Sequence, residues 1–335
     1  MGRETLSATS TERVPAPAPA GAHPGQRPTR IAVEAAGDGA RFALLDQGHY
    51  LAPRPVACGS GGSGGSGARQ LRVALIGIHM MLLGGDDVRI EVSVGPGVTL
   101  EVVEPAGMVA YDAEGKQSRW TLEAVLAEGA VMIWEGAPFV AAAGSNVLRE
   151  TRVKLGPGAR LLIRETLVLG RSGEEAGPLR SIARLTGPNG DYLYEDLDLR
   201  GTRHRAVGVL GTAKVLSSAT AAGWRPQALH PNGGARPGDG SARRLDLAAE
   251  GAVIRALSGT AHEAARETDP VYRLWKDQLL GEPRPDPARL FVAESAYVHG
   301  PIPHPPGSGA PLGTSGPAEV ASNPPAGGPA AEGGP

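Results

Sequence analysis

Two glutamates hold the same place in two similar stretches of this chain. "VGPGVTLEVVEPA" runs from Val94 to Ala106, and "LGPGARLLIRETL" runs from Leu155 to Leu167. Each stretch gives a Gly-Pro-Gly turn, an alternating apolar run and then an acid at the same offset, Glu104 or Glu165, 61 residues apart. Val98, Leu100 and Val102 share the parity of Glu104, and Leu161, Ile163, Leu167 and Leu169 share that of Glu165. Successive side chains of a strand point to opposite faces, so each acid faces the way its apolar neighbours face. A carboxylate on a buried face needs a hydrogen bond, a cation, water or a raised pKa. One reading has backbone N–H groups or an arginine satisfying each acid. The other has the pair lining a polar cavity, where carboxylate oxygens hold a divalent ion briefly. Two carboxylates are also the acid and base of a glycosidase. That use calls for an aromatic-lined sugar cleft, and the chain has only three Phe and four Trp.

Other chemistry is sparse. There is no G-x-x-x-x-G-K-[ST] loop, no G-x-S-x-G elbow and no glycine-rich strand-to-helix unit for a dinucleotide. No C-x-x-C occurs, and the eight histidines include no i, i+4 pair. His79, Met80 and Met81 offer soft donors, but adjacent strand residues point to alternate faces and do not enclose an ion by themselves. His299 and His304 fall in a Pro/Gly-rich tail. Asp86, Asp87 and Asp112 read first as turn-formers and only second as oxygen donors extending a path from the two glutamates.

The elements that must position these acids are strands. "VRIEVSV" alternates cleanly, with Val88, Ile90, Val92 and Val94 on one face. Further strand–turn–strand writing follows, and the last glycines of four turns are Gly97, Gly129, Gly158 and Gly190, spaced 32, 29 and 32 residues apart. That regularity favours one unit repeated and stacked, with a plain sandwich of hairpins as the competitor. The expected fold is mainly β, a stacked-sheet or β-helix-like (solenoid-like) body, with about two α-helices near the C-terminal end of the folded region. The first helix is capped by Thr260 with Glu263. The second starts at Asp269-Pro270, carries the stripe Val271, Leu274, Trp275, Leu279 and stops at Gly281. Residues 1–30 and 299–335 are too polar and too rich in Pro and Gly to fold and read as a disordered head and tail. Residues 31–298 form a single β domain with flexible loops at 59–67 and 226–243.

Composition bounds the function further. The formal net charge of −2 leaves no electrostatic footprint for nucleic acid. No run of apolar residues is long enough to cross a membrane, and the N-terminus lacks the apolar core of a secretory signal. The single cysteine, Cys58, excludes an internal disulfide and suits a reducing compartment. The expected location is the cytoplasm.

Three blocks, taken in order, resemble a known family. "LLGGDDVRIEVSVGPGVTLEVVEPAGMVAY", with Leu83, Gly84, Gly85 and Asp86 at its opening turn, is similar to the N-terminal core of the urease accessory protein UreD family. "TRVKLGPGARLLIRETLVLGRSGE" resembles that family's central block through Arg152, Gly156, Pro157, Gly158, Glu165, Leu169, Gly170 and Arg171. "YRLWKDQLLG" resembles its C-terminal Leu-Trp helix. The form "VEPAGMVAY" resembles the actinobacterial branch. Ile78, His79, Met80 and Met81 depart from the small, Gly-rich residues usual before the first turn. The resemblance implies a non-enzymatic cytoplasmic protein with a β-helix-like stack. It implies partnership with urease apoprotein and with UreF, which carries the GTPase UreG. It also implies a part in nickel delivery to the urease active site, with no tightly bound cofactor. On that reading Glu104 and Glu165 serve Ni²⁺ in transit through a water-filled passage.

Overall fold

The computed structural model describes residues 26–58, 69–227 and 242–281. The expected loop at 59–67, the histidines at 299 and 304 and the tail at 299–335 lie outside them, as does most of the expected head and of the loop at 226–243. Sixteen strands and one long helix are formed among the described residues. The strands are β1 (Thr29–Ala36), β2 (Gly39–Asp46), β3 (Leu51–Val56), β4 (Gln70–Gly77), β5 (Asp87–Val94), β6 (Thr99–Val103), β7 (Met108–Ala110) and β8 (Ser118–Leu126). They continue as β9 (Val131–Ala141), β10 (Val147–Leu155), β11 (Arg160–Leu169), β12 (Leu179–Gly187), β13 (Gly190–Asp198), β14 (Val215–Ala222), β15 (Arg243–Asp246) and β16 (Gly251–Ser258). The helix is α1 (Ala261–Leu280). Thr29 and Arg30 already belong to β1 and Arg243 to β15, so the folded body begins before residue 31 and the 226–243 loop closes earlier than its composition suggests.

Two sheets result. One has the order β13-β12-β10-β8-β5-β1-β2; the other runs β15-β16-β14-β11-β9-β6-β4-β3, with β7 also paired to β9. From β5 to β12 the chain alternates between them, and the neighbours within each sheet are parallel: β5 with β8, β8 with β10, β10 with β12, and β6 with β9, β9 with β11. This is solenoid-like stacking of rungs, each with one strand in either sheet. Antiparallel pairs close both ends of each sheet, β1 with β2 and β12 with β13 in one, β3 with β4 and β15 with β16 in the other.

The turns between sheets stack as well. Gly97 N–H donates to Glu128 O at 3.0 Å, and Gly129 N–H donates to Pro157 O at 2.9 Å. Gly97, Gly129 and Gly158 have φ of 63°, 63° and 65°, a left-handed conformation that glycine adopts without steric cost. Gly190, the fourth member of the expected series, is different. It opens the tight hairpin from β12 to β13 within one sheet, so the repeat ends one turn earlier than the spacing suggests. Spacing alone does not distinguish a turn that crosses between sheets from one that reverses in place.

The core lies between the sheets. Val88, Ile90, Val92 and Val94 of β5 are buried there as their alternation requires, and Trp120 meets Trp134 edge-to-face at 6.4 Å. The outer face of the first sheet is polar and cross-paired, as in Arg30–Glu91 and Arg152–Glu123, both at 2.9 Å. The outer face of the second sheet packs against α1 through Val271, Tyr272, Trp275 and Leu279 on Val131, Ile133, Leu162 and Ile254. Arg164–Asp269 at 2.9 Å and a Lys276–Glu101 pair fasten the helix.

The two expected helices are one. Thr260 caps it, its side chain accepting from Glu263 N–H, and Gly281 ends it at φ 74°. Pro270 sits inside the helix and removes one backbone donor, which ordinarily breaks a helix. Here Ala264, Thr268, Val271, Tyr272, Trp275 and Leu279 form one buried stripe that spans the proline. Tertiary packing of that stripe outweighs the local preference, so the cap at Thr260 and the stop at Gly281 belong to the same element.

Candidate functional site: a polar seam between the sheets

The geometry around Glu104 begins with an irregularity in β9. Val103 pairs with Glu135 and Met108 with Phe139, so residues 104–107 leave a gap between β6 and β7 along β9. On the other side, Arg164 pairs with Glu135 and Thr166 with Pro138, so Gly136 and Ala137 of β9 stand opposite the single residue Glu165. That is a β-bulge, which frees backbone groups from the ladder and re-aims side chains. The Ala137 N–H, released in this way, donates to Glu104 Oε2 at 3.0 Å. Gly136 is required by space, since a Cβ there would lie 2.5 Å from Arg164 O.

Glu104 and Glu165 both line a small cavity between the sheets, together with Trp120, Phe139 and Arg149. Its volume is about 10 Å³, which is room for about one water. Arg149 reaches in from β10 on the facing sheet. Its Nη1 lies 2.6 Å from Glu165 Oε1, and its guanidinium stacks over Trp120 at 4.2 Å from the ring centre. The Arg149 side chain is 8% exposed and that of Glu165 is 21% exposed. The two acids are not on adjacent rungs: β9 runs between β6 and β11, and the guanidinium from the other sheet brings the acids into one site.

Burial dominates the chemistry of Glu104 and raises its carboxyl from the ordinary 4.5 to about 7. The Arg149 charge, the Ala137 N–H and a hydrogen bond from Trp134 oppose the rise, and the Glu165 charge adds to it. Glu104 thus keeps a proton under conditions where an exposed glutamate has lost one.

The cavity has neighbours on both sides. Glu104 also borders an opening of about 290 Å³ lined by His79, Met80, Met81, Met108 and Tyr111, among others. His79 stacks on His49 there at 5.3 Å, and Met80 is 68% exposed. Glu165 also borders a third cavity of about 30 Å³, whose lining includes Thr151, Ser181, Ser218, Glu195 and Arg255. Arg255 Nη2 meets Glu195 Oε2 at 2.6 Å there, β16 to β13, across the two sheets. The three cavities share walls through Glu104 and then Glu165. They form a polar seam in an otherwise apolar interior.

The local reading of the two acids, satisfied by backbone N–H and by an arginine, describes their bonding: Ala137 N–H for Glu104, Arg149 for Glu165. The seam reading describes their place. The cavity that the two acids share does not suit a sugar ring, because it is water-sized and Trp120, Trp134 and Trp275 are fully buried packing residues. Asp86 accepts from Tyr50 Oη at 2.8 Å and from Leu83 N–H at 2.9 Å, and Asp112 accepts from Glu114 N–H at 2.9 Å. Asp87 is buried beside Arg89. Asp86 and Asp112 hold their own turns, Asp87 opens β5, and none of the three lines any of the three cavities. Among the described residues no group of three or more His, Cys, Asp or Glu side chains could hold a metal ion, and no helix is long and apolar enough to cross a membrane.

Arg149 is a member of the site beyond the two glutamates, and its parity in the sequence marks it. Arg149 and Thr151 share the parity of Val147, Val153 and Leu155, the buried face of β10. The Glu195–Arg255 pair carries no such signal, since it joins strands 60 residues apart.

Comparison with known proteins agrees with the three sequence blocks. The family model described as "UreD urease accessory protein" matches residues 81–289. "Urease accessory protein UreD 1" of Streptomyces griseus is 42% identical over 267 residues, 79% of this chain and 97% of that protein. "Urease accessory protein UreD" of Streptomyces avermitilis is 39% identical over 118 residues, 35% of this chain and 46% of that protein. The protein of the same name in Frankia casuarinae is 38% identical over 157 residues, 43% of this chain and 49% of that protein. The resemblance to the actinobacterial branch is thereby borne out: the chain belongs to the UreD urease accessory protein family.

Proposed function

We propose that this protein is a non-enzymatic, cytoplasmic scaffold for urease maturation. It binds urease apoprotein and UreF, meets the GTPase UreG through UreF, and passes Ni²⁺ towards the urease active site as cargo, holding no cofactor of its own. Membership of the family supports the role in urease maturation. The observation that carries the nickel part is the seam: two carboxylates, Glu104 and Glu165, sit in one cavity between sheets and each borders a further cavity.

The donor set suits transit. An ion that must leave needs sites that hold it weakly, and carboxylate oxygens bind a borderline cation less firmly than thiolates or a histidine cage. Glu104, next to the opening lined by His79, Met80 and Met81, takes the ion first on this reading, and Glu165 takes it next. Each acid has few fixed partners, so oxygen lone pairs remain for a passing ion.

A pull-down tests the partners and the cargo together. The tagged chain is co-expressed with UreF, UreG and urease apoprotein, and the recovered urease is analysed for nickel. Co-recovery of all three partners with nickel-loaded urease is the expected result. Recovery of none of them, with urease loaded equally well when the chain is omitted, would overturn the reading.

A further inference from the structure

The cavity shared by Glu104 and Glu165 has a third charged group, and it has the sign of the cargo. Arg149 is held there on several sides. Its Nη1 pairs with Glu165 at 2.6 Å and contacts Thr151 Oγ1 at 3.4 Å, and its guanidinium lies 4.2 Å from the Trp120 ring centre and 5.9 Å from that of Phe139. Its Nε has no hydrogen-bond partner. The two aromatic faces hold a planar cation by stacking rather than by directed hydrogen bonds. The side chain therefore has a defined resting place without a full set of hydrogen bonds to lock it.

We propose that Arg149 is a charge gate: at rest its guanidinium closes the neck of the seam to cations, and an ion passes only when that charge is displaced from the cavity. This rests on the reading of the seam as an ion passage. Charge and size both argue for it. Once Glu104 has released its proton, the three groups facing the cavity sum to −1 with the guanidinium and to −2 without it, the complement of a dication. The water-sized neck is also far smaller than the opening of about 290 Å³ beside it. The contents of the neck therefore decide what crosses. A water or another small neutral molecule crosses past a guanidinium at no electrostatic cost. A dication is repelled by it in a region where little solvent screens the charge. The same arrangement recurs in the next cavity, where Arg255 is held by Glu195 at 2.6 Å. A cation leaving the neck thus meets a second paired guanidinium.

Trp120 lines the neck and Trp134 packs edge-to-face on it at 6.4 Å, so both report what enters it. Quenching of tryptophan emission by aqueous Ni²⁺ and by neutral acrylamide is compared in the full chain, in Arg149→Met and in Arg149→Lys. Arg149→Met keeps the length of the side chain and removes the charge; Arg149→Lys keeps the charge and removes the planar fork. The double variant Arg149→Met with Glu165→Gln removes both members of the ion pair and serves if the single variant fails to fold. The expected result is a rise of at least threefold in the Ni²⁺ quenching constant for Arg149→Met or the double variant. Acrylamide quenching should change little, and Arg149→Lys should stay near the parent. Adding Trp120→Phe should remove most of the rise.

Equal rises for Ni²⁺ and acrylamide would show a steric plug and overturn the charge gate. An unchanged Ni²⁺ constant in both neutral variants would overturn it too. Neither result depends on urease. A gate confirmed here, together with urease that loads equally well without the chain, would refute the delivery role and leave the gate standing.

Discussion

At Glu104, burial and hydrogen bonding pull in opposite directions. The carboxyl rises to about 7 because burial outweighs the help of Arg149, Ala137 and Trp134. The sign of the consequence follows. The folded chain holds a proton on Glu104 between about pH 4.5 and 7 that the unfolded chain has lost, so this group's stabilising contribution is complete below 4.5 and disappears as pH rises through 7. Glu104→Gln removes the titration, so the variant should gain on the parent as pH rises, by up to about 3 kcal/mol at pH 8. Urea unfolding at pH 5 and pH 8 measures this, and an equal difference at both values would contradict it. Glu165 contributes through an ion pair instead. Glu165→Ala leaves the Arg149 charge buried without its partner and should cost about 3–5 kcal/mol. Adding Arg149→Met should recover most of that loss. A double variant no more stable than Glu165→Ala would show that the pair is not what Glu165 contributes.

The elements explain why those side chains meet. Parity on β6 and β11 places both glutamates inward, and the same rule applied to β10 identifies Arg149, so three members of the site are legible strand by strand. What sequence does not carry is the pairing. The bulge at Gly136-Ala137 appears only when β9 is aligned with β6 on one side and β11 on the other, and it provides both the space and the free N–H. The strands before residue 69 were also not read from pattern: β3 is interrupted by Pro53 and Pro55, and β2 has no clean alternation of buried and exposed residues. Two glycines separate the kinds of constraint in these elements. A Cβ on Gly129 would meet nothing closer than 4.0 Å, so Gly129→Ala bears only the left-handed backbone and should cost about 1–2 kcal/mol. Gly136→Ala drives a methyl into Arg164 O and should cost about 1–3 kcal/mol by overpacking. It should also disturb the neck. Tryptophan emission should therefore shift in Gly136→Ala and not in Gly129→Ala, and a shift of equal size in both would contradict this division.

For the whole molecule, the stacked rungs make one interior with two characters. Most of it is apolar, and the seam from Glu104 past Arg149 and Glu165 to Arg255 is not. Such a seam is costly in a protein whose only task is to fold, because apolar side chains of similar volume commonly serve stability as well or better. The near-neutral net charge of −2 points away from recognition by overall field and towards local surfaces, such as the opening where Met80 and Tyr111 are exposed. On the proposed function, the acids of this seam carry nickel. Glu104→Gln is the appropriate variant, since it removes a carboxylate whose burial opposes folding. The measurement is the nickel content of urease recovered with UreF, UreG and either parent or Glu104→Gln chain, at equal yield of the complex. Glu104→Gln should lower the nickel per urease at least fivefold; full nickel loading in the intact complex would rule out carriage by these acids.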